Sequence, residues 1–209
     1  MGRHQQDPFQ ENSFYHVYNR AVGSDLLFRD KSDYHKFLTK ADKYFGPHWD
    51  FLSYCLVPNH FHFVIRVNPI ELDYLRREAT ATALKLLREE ITLDQYFSAK
   101  AANFFSGFAL SYNRRYNRKG ALFKEGVKRV RMNNVPRVLS RIAYNHHNVI
   151  HHNLGNDYAS YRYTSYNAYL SDFPTKIARD LGLELFGGRE NFKDYHEDFK
   201  REYRELMDF

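Results

Sequence analysis

The chain has 209 residues, of which 43% are hydrophobic and 17% aromatic, and it carries a formal net charge of +6 at pH 7. This length is sufficient for one domain with a full hydrophobic core, and no apolar run is long enough to span a membrane. The polar N-terminus argues against a signal peptide, and the single Cys55 excludes an internal disulfide framework. We therefore expect a cytoplasmic protein. Its basic, tyrosine-rich composition suits binding of a polyanion.

The first part of the chain predicts one helix among three strands. The predicted elements are a strand over 13–22, a helix from Asp30 or Ser32 to about 44, and strands over 51–57 and 60–67. The last two strands are separated only by Pro58 and Asn59, a connection so short that it favours antiparallel pairing.

The second part of the chain is richer in helix. The predicted elements are a helical region over 70–91, a second helix ending near 117, a strand within 122–132, and a helix capped by Asn134 that continues to about 151. The resulting order, β-α-β-β-α-α-β-α, is typical of an α+β ferredoxin-like fold, an antiparallel sheet with helices packed on one face. We assign residues 1–153 to this main domain and 154–209 to a tyrosine-rich, helical C-terminal extension of it.

A histidine, hydrophobe, histidine motif lies in the third predicted strand, where Phe61 separates His60 from His62. Alternate side chains of a strand face the same side, so the two imidazoles project together while Phe61 is buried. Paired imidazoles can bind a metal ion. Two nearby histidines are also ordinary polar residues on the solvent face of a strand, and the motif alone does not decide between the two interpretations.

The last helix of the main domain carries a second group of polar residues. Tyr144 and Asn148 are four residues apart and therefore share one helix face. His147 and His151 share another face, which makes His147 a competing candidate ligand. Taken alone, Tyr144 is more simply interpreted as a half-buried packing residue, because the chain has 17 tyrosines.

Residues 113–131 form a strongly basic segment with a single acid, Glu125. Its cations are Arg114, Arg115, Arg118, Lys119, Lys124, Lys128, Arg129 and Arg131. Such a segment can follow a phosphate backbone, and Tyr112 and Tyr116 beside it can stack on unpaired bases. The two tyrosines are also rival candidates for a nucleophile, and the segment as a whole has a second interpretation as a solvated helix end and hairpin.

Three segments in this order make the chain resemble the single-tyrosine HUH transposases, and especially their REP-associated relatives. They are VPNHFHFVI from residue 57, YNRRYNRKGALFKEGVKRV from 112 and AYNHHNVIHHNL from 143, and the likeness covers residues 14–169. The resemblance implies Tyr144 as the nucleophile, with His60, His62 and Asn148 as ligands of Mg or Mn. The chain departs from the family pattern at Asn145 and Val149, where relatives commonly have Ile and Pro.

The resemblance also implies an activity. It is that of a metal-dependent DNA transposase, a monomer or homodimer, that nicks and rejoins single-stranded hairpin DNA through a 5′-phosphotyrosine intermediate. The alternative is a domesticated protein that binds single-stranded DNA or RNA hairpins without cutting them. A hydrolase of small phosphate esters is a third possibility, but the histidine pair lacks the carboxylates that such sites usually need.

Overall fold

The computed structural model describes residues 6–124 and 126–207, with side chains as far as Tyr203. The elements of these two stretches are β1 (Phe14–Arg20), α1 (Lys31–Phe45), β2 (Trp49–Val57), β3 (His60–Val67), α2 (Leu72–Glu78), α3 (Ala81–Leu87), α4 (Leu93–Arg115), β4 (Lys128–Met132), α5 (Val135–His151), α6 (Tyr166–Leu170), α7 (Arg179–Phe186) and α8 (Arg189–Met207). Among these described helices, none has the length and apolar character needed to cross a bilayer.

The four strands form one antiparallel sheet in the order β2-β3-β1-β4. β2 and β3 flank the two-residue connection, and the antiparallel pair predicted there is confirmed. α1 and α4 pack on one face of this sheet. The ring of Phe37 in α1 lies 5.0 Å from that of Phe61 in β3 and 5.1 Å from that of Phe104 in α4. The predicted α+β class is therefore confirmed, with the ferredoxin-like order of elements.

The structure corrects one detail of that prediction, because helices cover both faces of the sheet. α5 packs on the face opposite to α1 and α4, where Asn145 donates a hydrogen bond to Ser53 Oγ of β2 at 3.0 Å. Val149 of α5 packs on Cys55 and Val57 of the same strand. β2 thus has buried side chains on both of its faces. A strand of this kind needs elements packed on both faces of the sheet, whereas the prediction placed helices on one face only.

Two element boundaries differ from the prediction for local reasons. The helical region over 70–91 is interrupted because Ala79 has a left-handed backbone (φ 50°), after which Thr80 caps α3 by accepting from Ala83 N at 3.1 Å. β4 begins at Lys128 rather than near 122, since Phe123 pairs with Ala21 in an isolated bridge that does not extend into a strand among the described residues before Lys128.

The C-terminal extension packs against the outer edge of the sheet. The amide of Leu56 donates to the carbonyl oxygen of Tyr163 at 2.9 Å, and the amide of Ser165 donates to that of Tyr54 at 3.1 Å. Further along, the buried ring of Phe192 in α8 belongs to the same hydrophobic core as the sheet. The extension therefore completes the hydrogen bonding of β2 and covers the outer side of α5.

Candidate active site

His60 and His62 lie on the face of β3 that α5 covers, opposite to buried Phe61, as the alternation of the strand predicts. Their ring centroids are 5.1 Å apart. The pair lines a cleft of about 600 Å³ between the sheet and α5, and Tyr144 and Asn148 line the same cleft. All four residues that were proposed from the sequence as nucleophile and metal ligands are thus brought together, within a single chain.

The position of α5 decides where the phenol and the amide lie. Asn134 caps the helix by accepting from Arg137 N at 3.0 Å, and Pro136 occupies its first turn. Asn148 Nδ2 donates to the carbonyl oxygen of Tyr144 at 3.0 Å, which fixes the orientation of the amide. Asn148 Oδ1 is buried, and it has no hydrogen-bond partner in the described part of the chain. A buried acceptor without a donor is costly, so a cation in the cleft would stabilise it.

Both imidazoles of the pair are engaged through Nδ1. His60 Nδ1 lies 2.7 Å from Asn59 Oδ1, and His62 Nδ1 lies 2.9 Å from Nε2 of His16 in β1. With Nδ1 occupied, Nε2 is the nitrogen that each ring has available for a ligand. Burial lowers the pKa of His60 to about 4 and holds the pKa of His62 well below its usual value, so both rings are neutral at physiological pH and can donate a lone pair.

These donors fit a divalent metal ion. Two neutral imidazoles and one amide oxygen are acceptable ligands for Mn²⁺ and for similar cations. Among the described residues, no group of three or more His, Cys, Asp or Glu side chains could hold a metal ion. Asn148, with its buried Oδ1 lacking a partner among those residues, is the third candidate donor that lines the cleft. Because the set contains no carboxylate, we expect the ion to bind weakly and exchange readily.

The competing ligand His147 does not line the cleft. It is buried against the C-terminal extension, with Nδ1 lying 3.4 Å from the hydroxyl of Tyr158 and its ring 4.3 Å from that of Tyr203. The neighbouring His146 is also directed to the extension, where it contacts His196. The two residues pack α5 against α8, and they do not complete the His60–His62 pair.

The predicted basic segment is partly neutralised by acids from elsewhere in the chain. The ion pairs are Arg115 with Asp30 and Asp33, Arg118 with Asp25, and Arg129 with Asp94. Arg131 bonds to Gln10, and Arg114 and Lys119 are exposed outside the cleft. Glu125, the one acid of the segment, lies outside the described residues. The segment is therefore not one continuous basic surface.

Positive charge in the cleft comes from a smaller group of residues. Lys124 and Lys128 line it, together with Arg20 of β1, and the guanidinium of Arg141 lies 5.0 Å from the ring centroid of Tyr144. These four cations make no ion pair with any described residue, and no described Asp or Glu lines the cleft. A cleft lined by these cations attracts phosphate groups. Arg20 and Arg141 were missed by sequence reasoning, although Arg141 lies one helical turn before Tyr144.

Tyr112 and Tyr116 lie away from the cleft. Tyr112 is only 3% exposed and its hydroxyl donates to the carbonyl oxygen of Leu26 at 2.6 Å. Tyr116 donates to Asp33 at 2.7 Å, and Arg29 lies 4.7 Å from its ring centroid. A buried ring has no free face for a base, so the stacking role predicted for Tyr112 is not supported. Tyr18, which no motif identified, does line the cleft.

Comparison with known proteins finds a similar fold. A solved structure of a REP-associated tyrosine transposase bound to a REP hairpin matches with a TM-score of 0.59, over 85% of this chain and 92% of that chain. The two sequences are 10% identical, so the likeness concerns the fold. No protein-family model matches the sequence, and no curated protein matches it.

Proposed function

We propose that the chain is a DNA transposase that nicks and rejoins single-stranded hairpin DNA. Tyr144 is the nucleophile, and His60, His62 and Asn148 hold a divalent ion, Mg or Mn. The observation that carries the proposal is the shared cleft, in which a phenol, two neutral imidazoles and an unsatisfied amide oxygen lie together. Such a combination of nucleophile and metal donors suits attack on a phosphodiester.

The reaction is a transfer of one phosphodiester bond. The phenol of Tyr144 loses its proton and attacks the scissile phosphorus, while the bond to the 3′ oxygen breaks and that oxygen takes up a proton. The products are a 5′-phosphotyrosine and a free 3′-OH. Attack by a 3′-OH on the phosphotyrosine reverses the step, so rejoining conserves the bond and needs no nucleotide cofactor.

The residues around Tyr144 bind the DNA and balance its charge. Lys124, Lys128 and Arg20 can hold phosphates on either side of the scissile one. The Arg141 guanidinium places positive charge beside the phenol that becomes anionic. A bound divalent ion would add positive charge at the oxygens of the scissile phosphate.

The hairpin form of the substrate is supported by the fold. The structural neighbour binds a REP hairpin, and it shares the arrangement of this chain over most of its length. We extend this class of ligand to the present chain because its cleft is cationic and lined by aromatic and imidazole rings. Such a lining suits a single strand, whose phosphates and bases are both accessible.

The test is covalent trapping of DNA by the nucleophile. A labelled hairpin oligonucleotide incubated with the protein and Mn²⁺ should yield an adduct that resists SDS. Tyr144→Phe should form no adduct, because the ring remains and only the attacking oxygen is lost. The matched control is Tyr18→Phe, the same change at another tyrosine of the cleft, which should retain the adduct.

Two results would contradict the proposal in different ways. An undiminished adduct from Tyr144→Phe would move the nucleophile elsewhere. Tight hairpin binding that survives chelation, with no adduct under any metal, would identify a binding protein that does not cut.

A further inference from the structure

Two residues beside the His60–Phe61–His62 motif form hydrogen bonds with its imidazoles. Asn59 immediately precedes the pair, and His16 lies on the neighbouring strand β1. Each forms a hydrogen bond with Nδ1 of one imidazole, at 2.7 Å to His60 and 2.9 Å to His62. Neither residue belongs to the set of proposed metal ligands, so their contacts require a separate explanation.

The contact of Asn59 with His60 determines one tautomer. The partner atom is Oδ1, an amide oxygen, which can only accept a hydrogen bond. His60 Nδ1 must therefore carry the proton. In a neutral imidazole the other nitrogen, Nε2, then has the lone pair that a metal ion requires.

The contact of His16 with His62 joins two ring nitrogens, so either ring can be the hydrogen-bond donor. If His62 Nδ1 donates to His16 Nε2, then His62 Nε2 has a lone pair. If His16 Nε2 donates, the proton of neutral His62 lies on Nε2 and blocks metal binding. His16 thus acts as the acceptor in the state that can bind a metal.

The position of His16 is held by its surroundings. The residue is 5% exposed, and its ring stacks on that of Tyr18 at 4.6 Å with an interplanar angle of 15°. It also lies parallel to the ring of His62, at 5.1 Å and 7°. A buried ring stacked on one neighbour and hydrogen-bonded to another has few alternative orientations, so it can orient His62 before any ion arrives.

We propose that His16 and Asn59 are positioning residues that hold His62 and His60 in the Nδ1–H tautomer and thereby preorganise the pair for a divalent cation. The inference rests on the proposed function only in taking the two histidines as metal ligands. Partners of this kind typically change metal affinity about 10- to 100-fold when they are removed.

The experiment measures Mn²⁺ binding to the full-length protein without DNA, by the loss of the free-ion EPR signal. His16→Leu removes the acceptor and should weaken Mn²⁺ binding by about 10- to 100-fold. His16→Gln is the matched variant, because its amide oxygen can accept from His62 Nδ1, and it should bind within a few-fold of wild type.

The same comparison applies to the other imidazole. Asn59→Ala should weaken Mn²⁺ binding, whereas Asn59→Asp, which retains an oxygen acceptor for His60 Nδ1, should not. This second pair of variants lies in the connection between β2 and β3 and tests the inference even if His16→Leu fails to fold. Thermal unfolding without metal identifies any variant whose fold is lost.

Several outcomes would overturn the inference. One is an unchanged Mn²⁺ affinity in both His16→Leu and Asn59→Ala. Another is a loss of affinity in His16→Gln and Asn59→Asp as large as that in His16→Leu and Asn59→Ala. The third is a wild-type protein that binds no Mn²⁺. Failure of the proposed function is distinguishable from these. A wild-type protein that shows the expected pattern of Mn²⁺ affinities but never forms a DNA adduct would refute the transposase activity and retain the positioning role.

Discussion

Lys124 and Lys128 differ from most of the arginines around them in having no acidic partner among the described residues. Three arginines of the same segment, Arg115, Arg118 and Arg129, are paired with aspartates that lie far away in the chain, such as Asp25 with Arg118. A pair of this kind is invisible to a count of charges along the sequence. Cations that have no acidic partner among the described residues are the ones we expect to be available to phosphate.

The first prediction concerns these two lysines. A Lys124→Gln, Lys128→Gln protein should bind hairpin DNA more weakly, and the slope of log K against log salt should fall by about 0.7 to 0.9 per lysine, because each releases roughly one counterion. Fluorescence anisotropy over a range of salt concentrations measures this slope. The control is Arg118→Gln, whose partner is Asp25, and which should leave the slope nearly unchanged. A larger change in the control would contradict the assignment.

Single residues also show what could be predicted from the sequence. The strand period relates His60 to His62, and the helix period relates Tyr144 to Asn148. The family resemblance then joined these two pairs into one predicted site. His16 could not be predicted in this way, since it meets His62 only through the pairing of β1 with β3. Its hydrogen bond depends on tertiary packing, which the spacing of residues along the chain does not predict.

At the scale of elements, α5 is buried on two sides. Its apolar residues Val138 and Ile142 are buried, and so are the imidazoles of His146 and His147. The sheet covers one side of the helix and the C-terminal extension covers the other. Buried imidazoles need partners, and the partners of His146 lie in that extension, His196 Nε2 at 2.8 Å and Ser165 Oγ at 2.8 Å. The pattern of α5 alone could not predict a second covering layer.

The second prediction tests how α8 holds α5. His196→Leu fills similar space but leaves His146 Nδ1 buried without a partner, so the free energy of unfolding should fall by about 1 to 3 kcal/mol. Lys193→Ala, an exposed change on the same helix, should alter it by less than about 0.5 kcal/mol. Urea unfolding of both variants measures the difference. Equal small losses would show that the histidine contact does not stabilise the packing of α8.

At the scale of the whole molecule, buried histidines make the fold sensitive to acid. Burial lowers the pKa of His48 to about 4, helped by the nearby Lys100 and opposed by Glu78, and burial lowers the pKa of His196 to about 4. The unfolded chain takes up these protons near pH 6.5, whereas the folded chain does not until about pH 4. Acidification through that window therefore favours the unfolded state.

The third prediction follows from this direction of the change in stability with pH. The free energy of unfolding should decrease as the pH falls from 7 to 5, with His48 alone contributing about 2 kcal/mol. In His48→Gln that decrease should be smaller by this amount, because a glutamine beside the Tyr96 hydroxyl takes up no proton. His35→Gln, at an exposed position of α1, is the control and should behave as wild type. Urea unfolding at pH 7, 6 and 5 tests it, and an unchanged pH dependence in His48→Gln would contradict it.

The placement of α5 over the sheet of its own chain has a genetic consequence. The proposed nucleophile and the proposed metal ligands belong to one polypeptide, so one copy contains every part of the cleft. We therefore expect that two defective copies, one lacking Tyr144 and the other lacking His60, do not restore each other by association. Each mutation would abolish the proposed activity of the molecule that carries it. In a mixture of mutant and wild-type protein, the activity would be proportional to the number of intact copies.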